Sequence, residues 1–432
     1  MKKVRLFILR AASVVASVLA GSGSVASAQD MVMDAPKSPA DASAPKFYWG
    51  LSGIVLGTRE SPAINNRTLT EGYLSQPMFM GSALFPRYGL EFDATLNFEG
   101  LTLERGELNA GMSGEGYIDR RHPHTYLHEL VATWKHDVGA STVVSATAGK
   151  GFAPFGTDDP MMRPFVKYPV NHHLAQIPER AVVIGAATFG PVGLELSSFN
   201  GDEPESPSDW PNSSRLFDSW AGRATARIRD ASEFQVSYAN VVSPEIAAGG
   251  GLTQKKWSAS GRYQSKVLYG LAEYAHTQEV ESGRDAFAFR SALAEGSVTR
   301  NLFLLAARIE QTDRAEEERA SNPFRTPRPP SDLSILGRTR WTIATVNASR
   351  SISVRKVNLA PFVEIGRAHV SSLDRFSVFD PKSFYGSDVM WSASIGVKLG
   401  FGMMMNRMGR YGAALPKASM DMGDMEGMDM SQ

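Results

Sequence analysis

The C-terminal run Met420-Asp-Met-Gly-Asp-Met-Glu-Gly-Met-Asp-Met430 carries the most distinctive side-chain chemistry in this sequence, and nine of the 18 methionines follow residue 402. Thioether sulfurs are soft ligands that favour Cu(I). Met-x-Met and Met-x-x-Met spacings allow a flexible chain to surround one ion, and the neighbouring acids attract a cation. The alternative is a solvated low-complexity tail. The candidate ligands are Met420, Met422, Met425, Met428 and Met430.

Histidines form a second group, since six of the eight lie between residues 122 and 173. His122 and His124 end one predicted connection, whereas His172 and His173 lie in the next one. Imidazole nitrogens bind Zn²⁺ or Cu²⁺, so these four residues are candidate ligands if the two connections meet. The alternative is that they are solvent-exposed or brace the loops.

His128 is predicted to share a lipid-facing row with Leu130 and Trp134. A histidine that faces lipid resembles a feature of the outer-membrane phospholipases. A lipid hydrolase is therefore one hypothesis for the function of this chain. No nucleophile motif accompanies His128, so we expect that the chain is not an enzyme.

The elements that must position these residues are indicated by the segment Tyr88–Gly100, in which even positions are apolar and odd positions are polar or acidic. Side chains alternate between the two faces of a strand, so this segment predicts a strand with one apolar and one charged face. A length of roughly 9–11 residues suffices for a tilted strand to cross a bilayer. The same pattern recurs along the chain and predicts sixteen strands, at 47–57, 78–86, 88–99, 125–137, 142–152, 180–189, 191–199, 216–228, 232–242, 254–264, 266–277, 286–297, 301–312, 338–350, 354–368 and 388–401.

The predicted connections alternate between short and long. The long ones are 58–77, 100–124, 153–179, 200–215, 243–253, 313–337 and 369–387, with a shorter one at 278–285. Short periplasmic turns, long external loops and an even strand count are typical of bacterial barrels. We therefore predict an all-β fold, a closed antiparallel transmembrane β-barrel of about sixteen strands.

Composition and targeting favour the same class. A basic start, an apolar middle and Ala26-Ser-Ala28 predict a signal peptide over residues 1–28. Removing its four basic residues leaves 41 basic against 45 acidic residues, which gives no support for nucleic-acid binding. The absence of cysteine excludes thiol chemistry. The predicted organisation is a disordered periplasmic segment at 29–46, a barrel at 47–401 and a Met-rich periplasmic tail at 402–432.

Three short stretches resemble known groups. Ser394-Ile-Gly-Val-Lys-Leu-Gly-Phe401 resembles the C-terminal sorting pattern of outer-membrane barrels, which implies Gram-negative outer-membrane lipid and the barrel-assembly machinery as partners. Gly151-Phe-Ala-Pro-Phe-Gly156 is similar to a run in phosphate-selective porins, although it does not identify a solute. The Met-rich tail resembles motifs of bacterial copper-resistance proteins. More broadly, residues 88–401 resemble a porin-like outer-membrane family.

Assigning the more apolar face to lipid turns a set of charges inward. The predicted pore-lining residues are Glu91, Asp93 and Glu99 on one wall, and Arg223, Arg227, Lys256, Arg262, Arg308 and Arg340 on a mainly basic wall. Glu233, Glu310 and Glu364 are interspersed on this second wall. Separated walls of opposite charge predict a polar pore that weakly prefers anions. The alternative is that paired charges brace a plugged lumen.

The connection 153–179 is the candidate constriction, because long ordered loops are usually functional and general porins fold their third loop inward. The function expected is passive diffusion of small polar or ionic solutes, with a homo-oligomer possible. The second hypothesis is copper handling through the tail. No cofactor is required, and Cu(I) is the candidate ion.

Overall fold

The computed structural model of the protein describes residues 44–63, 66–102, 124–170, 172–204, 206–228, 231–317, 335–375, 377, 379–402 and 407–415. The predicted signal peptide and residues 29–43 of the predicted N-terminal segment lie outside the described residues. The described part is almost entirely strand, with three short helices, α1 (Glu99–Thr102), α2 (His172–Ala175) and α3 (Pro381–Tyr385). Among the described residues, no helix is long and apolar enough to cross a membrane.

Seventeen strand segments follow one another along the chain. They are β1 (Lys46–Ala63), β2 (Arg67–Phe85), β3 (Leu90–Asn97), β4 (Leu127–Gly139), β5 (Thr142–Gly151), β6 (Arg180–Phe189), β7 (Val192–Phe199), β8 (Ser219–Ile228), β9 (Ser232–Val242), β10 (Thr253–Gln264), β11 (Leu268–Glu281), β12 (Arg284–Arg300), β13 (Phe303–Glu317), β14 (Ile335–Arg350), β15 (Ile352–Val354), β16 (Val357–Ser372) and β17 (Val389–Gly402).

The sheet closes on itself. Apart from β14 and β15, each strand pairs antiparallel with its neighbour in sequence, and β1 pairs with β17 from Gly50↔Gly402 to Ser61↔Trp391. The short β15 continues β14, because both pair with β16 in one register (Ser349↔Phe362 and Ile352↔Leu359). The barrel therefore has sixteen strands, and the predicted fold class and all sixteen predicted strands are confirmed.

Two predicted loops are strands instead. Residues 58–77 were predicted as a long connection, but β1 and β2 stay paired through Ala63↔Arg67. The connection predicted at 278–285 is a two-residue turn, Ser282-Gly283, with φ angles of 49° and 80°. Positive φ at both central residues matches the twist of a hairpin, so β11 and β12 pair up to this turn. In both places the sequence loses the alternation of apolar and polar residues. The backbone hydrogen bonds between strands do not depend on that alternation.

The two faces of the wall differ in polarity. Most strands turn apolar or aromatic side chains outward, among them Phe92, Leu130, Trp134, Leu194, Leu196, Trp220, Val236, Trp257, Leu305, Ile309, Val346, Ile365, Trp391 and Ile395. Buried polar and charged side chains occupy the opposite face. Trp341 is an exception among the tryptophans of the wall, because it turns inward and is fully buried beside Tyr385 and Val170. The barrel interior thus contains an apolar cluster as well as charges.

Candidate functional site in the barrel lumen

Residues 152–179, which we call the inward loop, leave β5 and fold into the barrel, as the sequence predicts for the candidate constriction. Arg163 lies 3.7 Å from both Glu273 of β11 and Glu295 of β12. Thr157 donates a 2.5 Å hydrogen bond to the same Glu273, and Arg163 donates one to Thr157 at 2.7 Å. The first half of the loop is thereby fixed to the wall opposite its origin.

Backbone amides fix the second half. Glu364 of β16 accepts hydrogen bonds from the amides of Val166 (2.8 Å) and Lys167 (3.2 Å). Glu310 of β13 accepts one from the amide of Val170 at 2.8 Å. Buried amides need acceptors, and an ionised carboxylate is a strong one. The wall therefore supplies the partners that a loop within a barrel would otherwise lack.

Residues 407–415, which we call the C-terminal segment, also lie inside the barrel, whereas the sequence predicts a periplasmic tail from residue 402 onward. Met408, Arg410, Tyr411 and Ala413 are buried. Tyr411 donates a 2.5 Å hydrogen bond to Glu129 of β4, and its hydroxyl accepts one from the amide of Phe152 at 2.9 Å. The segment is held inside the barrel by partners on both the wall and the inward loop, although its composition is typical of a solvated tail.

Two arginines of the C-terminal segment connect the inward loop to the wall. Arg407 donates to Asp158 of the loop at 2.7 Å and to Glu233 of β9 at 2.9 and 3.0 Å. Arg410 donates to Glu233 at 2.8 Å and to Asp158 at 3.3 Å. Burial raises the pKa of Asp158, but Arg407, Arg262 and Arg410 outweigh it and hold that pKa well below its usual range. Asp158 is therefore ionised.

The predicted basic residues of the wall are paired rather than forming an uncompensated basic surface. Arg223 forms a two-fold contact with Glu195 at 2.6 and 2.7 Å, and Arg308 donates to Glu295 at 2.8 Å. Arg227 lies 3.4 Å from Glu233, and Arg262 pairs with Asp158. Lys256 is buried, with its ammonium 5.6 Å from the centre of the Phe155 ring. The mainly basic wall therefore carries little uncompensated charge, because carboxylates of neighbouring strands and of the loop pair with its arginines.

Arg340 faces outward, contrary to the prediction. Its neighbours Thr339 and Trp341 are buried inside the barrel, and Arg340 pairs across strands with Asp313 at 2.7 Å. The prediction fails because it assigned the more apolar parity of β14 to lipid. On this strand Trp341 and Ile343 pack inward, in an apolar cluster that includes Val170 of the inward loop.

The predicted acidic residues lie on the inward face of β3 or just beyond its end. Glu91 is half-buried near the turn Pro86–Tyr88, and Asp93 is buried. Glu99 begins helix α1, where it accepts hydrogen bonds from the Ser75 hydroxyl and the Gln76 amide, both at 2.7 Å. Glu99 therefore connects β2 to the segment that follows β3 through these two hydrogen bonds.

The structure brings His124 and His172 together, with ring centres 5.9 Å apart and Tyr168 in contact with both. His122 lies outside the described residues, and the side chain of His173 is not described. Among the residues that are described, no three His, Asp or Glu side chains are arranged to hold a metal ion. The candidate ligands Met420–Met430 also lie outside the described range. Metal binding stays a prediction.

His124 is held by a carboxylate. Its Nδ1 lies 3.0 Å from Glu99, and both side chains are buried. Burial lowers the pKa of His124, but the hydrogen bond and the charge of Glu99 outweigh it and raise that pKa to about 9. Burial raises the pKa of Glu99, and the contact with His124 lowers it below the usual value. The pair is therefore an ion pair at neutral pH.

His128 does not face lipid as predicted. It is fully buried, and its Nδ1 bonds to Glu179 at the end of the inward loop. A register shift between Thr95 and Leu96 of β3 faces this part of β4, so the alternation breaks there and both His128 and Glu129 turn inward. The orientation on which the lipid-hydrolase hypothesis rested is therefore absent.

Sequence reasoning missed Arg163, Arg407, Arg410 and Tyr411, which hold the lumen together. Arginine and tyrosine close to glycine in Arg407-Met-Gly-Arg-Tyr-Gly412 are unusual for a solvated tail and were the available signal. Where Arg407 approaches Asp158, Arg163 and Arg262, a cavity of about 10 Å³ remains. That is about the space of one water molecule.

A closed antiparallel cylinder with apolar side chains outside and charges inside satisfies every strand edge within lipid. This is the architecture of a bacterial outer-membrane β-barrel. The protein is therefore a Gram-negative outer-membrane barrel, and the predicted location is confirmed.

Comparisons with solved structures return outer-membrane proteins at low overall similarity. An anion-selective porin from Comamonas acidovorans is 9% identical, with 83% of this chain and 100% of that chain covered and a TM-score of 0.48. OmpT, an outer membrane protein of Vibrio cholerae, in its trimer form, is 8% identical, with 83% and 100% covered and a TM-score of 0.45. The outer membrane channel DcaP of Acinetobacter baumannii is 8% identical, with 86% and 100% covered and a TM-score of 0.43.

No protein-family model matches the chain, and a comparison with curated proteins found no match.

Proposed function

We propose that the protein is an outer-membrane channel for passive diffusion of small polar or ionic solutes, with the inward loop as its constriction. The observation that carries this proposal is the attachment of residues 163–170 of that loop to acidic side chains of β11, β12, β13 and β16. A barrel that served only as an anchor would not require its interior charges to position a loop across the lumen.

The arrangement suits hydrated solutes. The lumen contains arginines paired with carboxylates, such as Arg223 with Glu195 and Arg308 with Glu295. Charged groups of this kind order water and interact with polar solutes, whereas apolar solutes gain nothing there. Because the arginines of the wall are paired, we expect weak charge selectivity. Where the inward loop and the C-terminal segment meet, the cavity of about 10 Å³ beside Arg407 holds about one water molecule. A larger solute that passes between these two segments requires one of them to move.

The test is single-channel recording in planar bilayers, with the purified full chain and with the variants of the C-terminal segment described below. Liposome swelling with neutral and charged solutes of increasing size would give the size limit and the charge preference. We expect discrete conductance steps and size-dependent swelling. Folded protein that gives neither, in every variant, contradicts a channel function.

A further inference from the structure

We propose that the C-terminal segment, residues 407–415, is an autoinhibitory plug, and that the channel conducts fully only when this segment leaves its site between Asp158 and Glu233. This inference rests on the proposed channel function and assigns its regulation. It follows from where the segment lies, how it is held, and what remains behind when it leaves.

The inward loop and the C-terminal segment close different parts of the lumen. Loop residues 163–170 attach to β11, β12, β13 and β16. The C-terminal segment attaches to the other side, through Glu129 of β4, Ser145 of β5, Arg223 of β8 and Glu233 of β9. Residues 163–170 of the loop thus leave the arc from β4 to β9, which the C-terminal segment shares with Gly156 of the loop.

The fit of the segment is specific. Gly409 and Gly412 have φ angles of 85° and 51°, which favour glycine. A Cβ at Gly412 would lie 2.5 Å from the Ser145 hydroxyl, and one at Gly409 would lie 3.2 Å from the Phe152 ring. Met408 is fully buried in a cluster with Met78, Met80 and Phe152. These contacts indicate a docked element with its own site.

The site remains electrostatically satisfied without the plug. Asp158 also pairs with Arg262, Glu233 with Arg227, and Arg223 with Glu195. Departure therefore leaves Asp158 and Glu233 each with an arginine partner and Glu129 with the Thr95 hydroxyl, while Arg407 and Arg410 pass into water. Desolvation cancels much of the gain from a buried ion pair, so such an anchor holds a segment without making its release prohibitive. This is the balance that a reversible plug requires.

The first experiment changes the charges of the plug in the full chain. We expect Arg407→Gln with Arg410→Gln to raise the open fraction in single-channel recordings by about tenfold or more, because the docking equilibrium loses both anchors. The matched control is Arg338→Gln, which removes an arginine paired with Asp374 outside the plug site. A folded double variant with the open fraction of the unmodified chain would overturn the inference.

The second experiment locks the plug in place. The chain has no cysteine, so Ser145→Cys with Ala413→Cys introduces one pair, at residues joined by a 2.9 Å hydrogen bond from the Ala413 amide to the Ser145 hydroxyl. We expect the oxidised, cross-linked protein to conduct less than the same protein after reduction. Equal conductance in both states of a verified cross-link would refute the plug and leave the channel function standing. Silence of every folded variant would refute both.

Discussion

The attachment of the inward loop to Glu364 gives the sharpest test of the lumen. The buried carboxylate of Glu364 accepts hydrogen bonds from the backbone amides of Val166 (2.8 Å) and Lys167 (3.2 Å). It also accepts one from the Asn347 side chain at 3.0 Å. Glu364→Ala removes all three. A hydrogen bond to a charged group contributes about 1.5–3 kcal/mol, so the two amide bonds together stabilise the docked loop by at least about 3 kcal/mol.

At about 1.4 kcal/mol per factor of ten, this loss increases local opening of the loop by about a hundredfold. Hydrogen exchange at the Val166 and Lys167 amides reports that opening directly, and we expect their exchange rates to rise by the same factor. Glu364→Gln retains one carbonyl oxygen and should give about a tenfold rise, since one of the two amide bonds persists.

The matched control is Glu91→Ala, which removes an inward carboxylate beside the turn Pro86–Tyr88. Exchange at residues 166 and 167 should be unchanged in this variant. If the folded Glu364→Ala protein exchanges these amides no faster than the control, the wall does not hold the loop and the constriction must be explained differently.

The remaining predictions concern pH, copper and the lipid face. The lowered pKa of Glu99 and the raised pKa of His124 imply that their contact stabilises the fold fully between about pH 4.5 and 6.5. This stabilisation is lost as pH rises from about 6.5 through about 9. The difference in thermal stability between the unmodified chain and Glu99→Gln should therefore shrink between these values, and a constant difference would contradict the ion pair. Replacing the five methionines of 420–430 by leucine should abolish Cu(I) binding in competition with a chromophoric chelator, and unchanged binding would remove the copper hypothesis. Leu196→Arg, on the outward face of β7, should lower unfolding free energy in vesicles by about 2–4 kcal/mol if the residue lies near the bilayer centre, whereas no loss would place it away from lipid.

Strand periodicity was sufficient to predict the barrel, because every strand must alternate between lipid and lumen. The sixteen segments and their order follow from that single constraint, whereas the predicted connections 58–77 and 278–285 are mostly strand. The prediction fails at positions where side chains do not alternate strictly between lipid and lumen. Beside the register shift in β3, His128 turns inward against the expected parity, and no local residue pattern marks such a shift.

The contents of the lumen were less accessible to sequence reasoning. Arg340 turns outward and Trp341 turns inward, the reverse of what the polarity of these residues suggests. The reason is that a barrel interior that contains a folded loop also accepts apolar side chains. The contacts of Arg407 with Asp158 and Glu233 join residues 249 and 174 positions apart. Such pairings depend on how two irregular segments meet within the barrel, which periodicity does not specify.

The pairing of β1 with β17 has a consequence for biogenesis. The C-terminal segment follows β17, the last strand of the ring, and lies within the cylinder that β17 completes. All strands of the barrel are therefore synthesised before the C-terminal segment. Either the ring is sealed around a segment already inside, or a vacant cylinder exists first and is occupied afterwards from the end at which Gly402 emerges. In the second order, every newly inserted molecule passes through a transiently leaky stage.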